Sequence, residues 1–258
     1  MPIVTLTTDM GQSDYYLGAL KGALLNKCID VQLVDIATQV SPFKLRQGAY
    51  ILQNAFPYFP KGTIHIMNVC SDEAKGRMIC VHHHEHYFIL FDNGAITLIF
   101  DGVPPETYLI NDDVAESSSM IYSEGISNII NAITSGLGLS IIGNKVQQVR
   151  SLRLMTPQQS NGLIKGTVIY FDQYGNAITN ITKEMFEKSI GNGRFRIEFG
   201  IYQINEISEY YSDVAPGEMV AIFNAEGRLE IALNKSSGAN LLSLKLDSSM
   251  IMVERLKD

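Results

Sequence analysis

Two stretches of this chain place polar groups where apolar runs end, and they lie far apart in sequence. IVTLTTDMG covers Ile3 to Gly11, and YFDQYGNAITNI covers Tyr170 to Ile181. In each, a β-branched run leads straight into a carboxylate and then a glycine. A strand of this kind delivers side chains to a fixed place at the rim of a sheet, where α/β folds hold small ligands. Asp9 can accept two hydrogen bonds, which suits paired ribose hydroxyls. Asp172 can meet a cationic amine, Tyr174 can stack on a ring, and Asn176 can read a base edge through its donor–acceptor amide. Each also has a plain structural use, Asp9 as a helix cap or turn residue and Tyr174-Gly175-Asn176 as a β-turn. Cys70, Asp72, Glu73 and Arg77 follow a third strand-like run. They are candidates for chemistry or, equally, the members of a charged surface loop.

Two other motifs are weaker. HHHEH at 82–86 offers metal-binding atoms. Adjacent residues in a tight hairpin point to opposite faces, however, whereas metal ligands must converge. The expectation is a solvated hairpin tip and no metal. Gly18 and Gly22 fall within a helical pattern and lack the Lys-Ser/Thr ending of a phosphate loop, so they read as close helix packing.

The elements that must position these groups follow from periodicity. Residues 3–8 read as a buried strand, and Asp14 to Leu25 as a helix with Leu17, Leu20, Leu24 and Leu25 on one side. A strand over 31–36, a helix over 45–56 stopped by Pro57, and a strand over 63–69 continue a β-α-β-α-β order, which implies a parallel sheet with right-handed crossovers. A hairpin over 78–91, a turn at Asp92-Asn93-Gly94 and a helix over 126–137 follow. Pro157 to Gly162, PQQSNG, is polar and non-periodic and is the expected linker. Beyond it, short strands at 166–171, 194–199, 219–223, 229–233 and 250–253 imply an all-β barrel. The fold class is therefore α/β: an N-terminal three-layer α/β domain over 1–156, with a mainly parallel sheet, and a C-terminal small all-β barrel over 163–258.

Composition bounds the function. The 258 residues carry 27 acidic and 20 basic side chains, a net charge of −7, which opposes nonspecific nucleic-acid binding. Cys28, Cys70 and Cys80 show no metal or disulfide spacing and suit a reducing cytoplasm. The chain opens directly into a strand without a basic leader, and no apolar run reaches the roughly 20 residues of a membrane helix. A cytoplasmic protein without nucleic-acid or membrane partners is expected.

Taken together, the motifs resemble the S-adenosylmethionine hydroxide adenosyltransferases, relatives of the fluorinases and chlorinases. The matching pieces are TLTTDMG with DYYLGALKG (5–22), VDIATQVSPF (34–43), AYILQNAFPYFPKGTIHI (49–66), YFILFDNGAITLI (87–99), DQYGNAITNI (172–181) and FNAEGRLEIALN (223–234). They occur in the family's order over nearly the whole chain. The resemblance implies hydrolysis of S-adenosylmethionine to adenosine and methionine without a cofactor. It also implies a homotrimer whose ligand sits between the N-terminal domain of one subunit and the C-terminal domain of the next. By motif position, Asp9 holds the ribose hydroxyls and Phe43 lies beside the ribose. Asp172 meets the methionine amine, Tyr174 and Asn176 lie on the adenine side, and Asn234 falls in a second adenine-contacting segment.

The departures from the family bear on chemistry. Its hydrolases carry Asp directly after the third strand, Arg seven residues on and His in a later loop. Here the Asp position is Cys70, the Arg is Arg77, and the His window, MIYSEG at 120–125, holds no His, with Ser123 the nearest match. Thr38 replaces a further His, and the halogenases' Tyr and extra loop are absent. The catalytic candidates are Arg77, Cys70, Glu73 and Ser123, with Asp72 an alternative to Glu73. A catalytically degenerate binder of S-adenosylmethionine or adenosine is the alternative to a hydrolase.

Overall fold

The β-branched run Ile3–Thr8 forms β1, and its near-complete burial is what a strand inside a parallel sheet requires. The structure, a computed structural model, describes residues 1–100, 102–115, 122–238 and 242–256. The chain divides into two compact units, Met1–Arg153 and Leu154–Asp258.

In the first unit, β1 is followed by α1 (Tyr15–Lys27), β2 (Gln32–Ala37), α2 (Leu45–Ala55) and β3 (Ile64–Asn68). Then come β4 (Met78–His83), β5 (His86–Phe91), α3 (Ala95–Ile99), β6 (Thr107–Ile110), α4 (Asp112–Ala115), α5 (Ser123–Thr134) and β7 (Gly143–Lys145). The sheet order is β2-β1-β3-β5-β4-β6-β7. β1 pairs in parallel with β2 and β3, and β3 with β5, whereas β4, β6 and β7 continue the sheet antiparallel. One face is covered by Leu17, Leu20 and Leu24 of α1 and Ile126, Ile129 and Ile130 of α5. The other is covered by Leu45, Ala49 and Leu52 of α2 and Ala95, Ile96 and Ile99 of α3. These are the three layers expected. Because β1 connects to its neighbours on opposite sides, the carboxyl ends of β1 and β3 form a topological switch point, a place where open α/β sheets bind ligands.

Three local expectations change. Gly18 and Gly22 are exposed, with nothing within 4 Å of an added Cβ, so they mark no close helix packing within the chain. Leu25 is 59% exposed, not part of the buried stripe. At 3.6 residues per turn it lies about 140° round the helix from Leu20. The HHHEH hairpin is solvated only at His84 and Glu85. His86 is buried, because the strand alternation puts it on the side of Phe88. It joins His65, whose Nδ1 lies 2.8 Å from Thr5 Oγ1 and whose Nε2 lies 3.2 Å from His86 Nδ1. Phe56 meets the His65 and His86 rings edge-on at 6.0 and 5.6 Å between centroids, Phe88 stacks on His65 at 5.1 Å, and Phe100 backs Phe88 at 4.9 Å. Burial pushes the His65 imidazole down to about 3, and His86 lies on it in the same direction.

The second unit comprises β8 (Gln158–Ser160), β9 (Leu163–Phe171), β10 (Ala177–Thr182), α6 (Lys183–Ser189), β11 (Phe195–Phe199) and β12 (Tyr202–Ile204). It continues through β13 (Met219–Phe223), β14 (Arg228–Leu233) and β15 (Met250–Arg255). The antiparallel order β12-β11-β15-β9-β10-β14-β13 curls into a nearly closed barrel, and the Ser208 N–H donates across its open seam to the Ala221 carbonyl at 2.9 Å. Ile164, Val168, Ile197, Leu229, Ile231, Ile251 and Val253 fill it. The expected linker is instead partly sheet: β8 pairs with β9 through a turn containing Gly162. The unit is also not purely β. Thr182 caps α6 by accepting the Met185 N–H at 3.2 Å, and Phe186 seals the barrel core.

Candidate functional site

At the carboxyl end of β1, Asp9 Oδ2 accepts the backbone N–H of Phe43 at 2.9 Å and that of Cys70 at 3.3 Å. Both donors sit in the left-handed region, with φ of 65° and 53°. That conformation costs a non-glycine residue about 1–2 kcal/mol, so one carboxylate stitches together two strained loops and the end of β1. The Phe43 ring stands out, 78% exposed. Buried Asn93 braces the same corner, its Nδ2 donating to the carbonyls of Val69 (3.0 Å) and Cys70 (3.2 Å).

Beside Cys70 lies a lattice of two ion pairs. Arg77 meets Asp92 at 3.2 Å, and Arg150 meets the Glu73 carboxylate at 3.4 Å. The two pairs are linked, because the Arg150 N–H donates to Asp92 Oδ1 at 2.7 Å and the Asp92 N–H to the Arg77 carbonyl at 2.9 Å. Three of the four side chains are about half exposed, so neither pair adds much stability; what they contribute is placement. Glu73 lies near enough to the Cys70 thiol to act on it electrostatically. Burial first, then Glu73 and Asp9, push that thiol up to about 11, with Arg150 opposing. It is a neutral thiol at physiological pH.

In the window where the family places His, Met120 and Ile121 lie outside the described residues. Tyr122 packs its ring on Phe91 and approaches Gly76 and Asp72. Ser123 opens α5, and its carbonyl accepts the Ser127 hydroxyl.

In the second unit, Asp172 organises the DQYGN turn. Its Oδ1 accepts the N–H groups of Tyr174 (2.9 Å) and Asn176 (2.8 Å), and its Oδ2 accepts Asn176 Nδ2 at 2.9 Å. Gly175 is required there. Its φ is +80°, and an added Cβ would lie 2.2 Å from Ser237 Oγ. The turn borders an open pocket of about 720 Å³ lined by Asp172, Tyr174, Asn176, Tyr211, Asn234 and Lys235, among others. Asn234 is buried, and its Nδ2 donates to the Val214 carbonyl at 2.7 Å. Behind the pocket the Tyr211 hydroxyl donates to the buried carboxylate of Glu230. Burial raises the Glu230 pKa above the usual carboxylate value, and Asp172 adds to the rise.

Sequence reasoning missed Asp92, Arg150, Tyr211 and Glu230. Asp92 carries the same signal as Asp9, a carboxylate after an apolar strand, but reads as part of a turn. Glu230 stands out as a charge within RLEIAL. Arg150 has no local signal. Among the described residues no group of three or more His, Cys, Asp or Glu is placed to hold a metal, and no helix is long and apolar enough to cross a membrane.

A three-layer α/β unit with carboxylates and arginines at its switch point, together with an antiparallel barrel carrying a polar pocket, defines an α/β-plus-barrel protein built for a small polar ligand. The chain belongs to the SAM hydroxide adenosyltransferase family, whose N-terminal domain matches residues 4–129 and whose C-terminal domain matches residues 166–251. It is 26% identical to the (R)-S-adenosyl-L-methionine hydrolase of Methanocaldococcus jannaschii over 95% of this chain and 93% of that one. It is 23% identical to a fluorinase of Actinopolyspora mzabensis over 95% and 94%. Its fold matches the crystal structure of an uncharacterized conserved protein from Thermotoga maritima with a TM-score of 0.84, at 24% identity over 98% of this chain and 100% of that one.

Proposed function

We propose that the protein hydrolyses S-adenosylmethionine to adenosine and methionine. Relatives named as hydrolases match over nearly their whole length, which supports this reaction. Water attacks the ribose C5′, the new O–C5′ bond forms as the C5′–S bond breaks, and the electron pair returns to sulfur as neutral methionine leaves. A sulfonium needs no protonation to depart, so the reaction calls for no cofactor. The protein's task is to orient the water and take its proton.

The observation that carries turnover, beyond binding, is Glu73. The Asp that the family's hydrolases place after the third strand is Cys70 here, a thiol held neutral. Glu73 reaches that thiol from three residues on, with its carboxylate tied to Arg150 at 3.4 Å. In this reading Glu73 positions the water and accepts its proton. Arg77 and Arg150 supply positive charge, since neither can act as a base. Asp9 keeps Oδ1 for the ribose hydroxyls and Phe43 borders the sugar. Asp172 meets the methionine amine, while Tyr174, Asn176 and Asn234 hold the adenine. Ser123 is at most a neighbour of the water site. We extend the proposal to a cytoplasmic homotrimer in which neighbouring subunits complete each ligand site, as the resemblance implies. Light scattering that finds a monomer with full ligand affinity refutes that extension.

The test is single-turnover hydrolysis in ¹⁸O-labelled water. Adenosine carrying ¹⁸O at the 5′ hydroxyl is expected from wild type, with large losses in Glu73→Gln and Arg77→Ala. Bound but unconverted S-adenosylmethionine in wild type refutes the hydrolase reading and leaves a binding protein.

A further inference from the structure

One member of the ion-pair lattice is withdrawn from solvent. The Asp92 side chain is 7% exposed, whereas those of Arg77, Arg150 and Glu73 are 57%, 49% and 52% exposed. The sheet sets its place. Met78 of β4 and Phe91 of β5 are partners in the antiparallel ladder, and the Asp92 N–H extends that ladder by donating to the Arg77 carbonyl at 2.9 Å. Arg77 and Asp92 therefore stand opposite one another across the hairpin, where a cross-strand pair of opposite charge meets, and Arg77 Nη2 lies 3.2 Å from Asp92 Oδ2. The other carboxylate oxygen is also taken: Oδ1 accepts the Arg150 N–H at 2.7 Å. The segment that supplies this donor is itself fastened to the turn after β5. The Leu152 N–H donates to Thr97 Oγ1 at 2.8 Å, and a Cβ on Gly94 would lie 2.6 Å from Leu152 Cγ. Asp92 is thus a buried carboxylate held from two sides, with one oxygen aimed at an exposed guanidinium.

We propose that Asp92 is a positioning residue. Held still by the hairpin and by the Arg150 main chain, it fixes the direction of the Arg77 guanidinium, and so the positive charge that faces the attacking water. The inference rests on the reading that this site hydrolyses S-adenosylmethionine. With both oxygens taken, Asp92 acts on the reaction through Arg77 and not on the ligand. An arginine side chain as exposed as Arg77 samples many rotamers unless something anchors it. Misplacement of a catalytic group by about 1 Å costs on the order of 10²-fold in rate.

The experiment is a double-mutant cycle on the whole protein: wild type, Asp92→Asn, Arg77→Ala and the two combined. Each is measured for single-turnover adenosine formation and for its dissociation constant with S-adenosylmethionine. Asparagine keeps the shape of the side chain, and its amide oxygen can still accept the Arg150 N–H. That turns the amide nitrogen toward the guanidinium, donors against donors. Asp92→Asn should be about 10- to 100-fold slower than wild type, with the dissociation constant changed by less than about threefold. In the Arg77→Ala background the same substitution should change the rate by less than about twofold, because no guanidinium is left to direct. A loss of equal size in both backgrounds marks a residue that only supports the hairpin, and that result overturns the proposal. An Asp92→Asn enzyme as fast as wild type overturns it as well. Should Asp92→Asn not fold, Arg77→Lys decides the matter from the exposed side of the pair: it keeps the charge but not the fork that a carboxylate orients. A lysine enzyme as fast as wild type then overturns the proposal, and one slower by about tenfold or more at unchanged affinity upholds it. A wild type that forms no adenosine refutes the hydrolase reading before any variant is compared, and takes the inference with it.

Discussion

Exchanging the carboxylate between positions 70 and 73 tests the proposed chemistry most directly. Glu73→Gln keeps the length and shape of the side chain and removes both the proton acceptor and the charge paired with Arg150 at 3.4 Å. General-base assistance is worth about 10²–10⁴-fold, or roughly 3–5 kcal/mol of barrier, and that loss is expected in single-turnover rate. Binding should change little, because Glu73 lies outside the polar groups assigned to the ligand. Cys70→Asp alone should change the rate by less than about threefold. The new carboxylate would enter the field of Glu73 and Asp9, the same two charges that help push the thiol to about 11, and a second acceptor beside a working one adds little. Position 70 should accept the change, since Asp tolerates the left-handed conformation better than most residues and φ there is 53°. The double variant should then recover at least tenfold over Glu73→Gln, because the carboxylate is back where the family's hydrolases carry it. The measurement is the chromatographic rate of adenosine formation, with the dissociation constant for S-adenosylmethionine determined on each variant. A Glu73→Gln enzyme as fast as wild type, or a Cys70→Asp enzyme faster by 10² or more, would show that Glu73 is not the acceptor.

Three further outcomes follow from the geometry. With its thiol near 11, Cys70 should be alkylated by iodoacetamide far more slowly than a free cysteine at pH 7.5, and mass spectrometry should show the rate climbing toward pH 10. His65 should make the first unit acid-sensitive: its folded value of about 3 lies below the unfolded one of about 6.5, so between these values the unfolded chain binds the extra proton and stability falls with falling pH. The loss from pH 7 to pH 5 should be about 2 kcal/mol by denaturant titration, and a His65→Gln variant with the same loss would refute the assignment. Gly175→Ala should cost about 1–2 kcal/mol in the second unit and weaken nucleoside binding, because φ is +80° and the new methyl meets Ser237; unchanged unfolding and binding would show that the turn is not constrained as described.

The strands were legible where an uninterrupted apolar, β-branched run is buried, as in IVTLTT and MVAIF, and so was the two-part α/β and β-barrel plan; AITNIT, with Asn180 inside it and a turn motif before it, does not read as a strand. Asp9, Cys70 and Asp172 were legible as polar residues at strand ends. What could not be read was anything depending on a distant partner. Histidine counts as polar in a pattern, so the burial of His86 emerges only when His65 and Phe56 arrive from other elements to surround it. Leu25 looks like its neighbours until the helix is placed against the sheet and one side is left outside. Arg150 sits in a stretch without periodicity, and its role comes from reaching Glu73, 77 positions earlier. Tyr211 and Glu230 are paired by the barrel, which brings a loop residue over a strand residue 19 positions away.

The position of β15 has a consequence for how the protein is made. It is the last strand of the second unit in sequence, yet it pairs with β9 on one side and β11 on the other. Until Arg255 has left the ribosome, the sheet exists as two separate strips, β12-β11 and β8-β9-β10-β14-β13, each with an unpaired edge and an apolar face. Synthesis from Phe199 to Arg255 lasts roughly 3–11 s at ordinary elongation rates, long enough for such edges to meet other nascent chains. The first unit draws none of its strands from beyond Lys145 and can fold meanwhile. Overproduction at reduced temperature, or with holdase chaperones, should therefore rescue solubility mainly by protecting residues 158–233 while they wait for the strand that joins them.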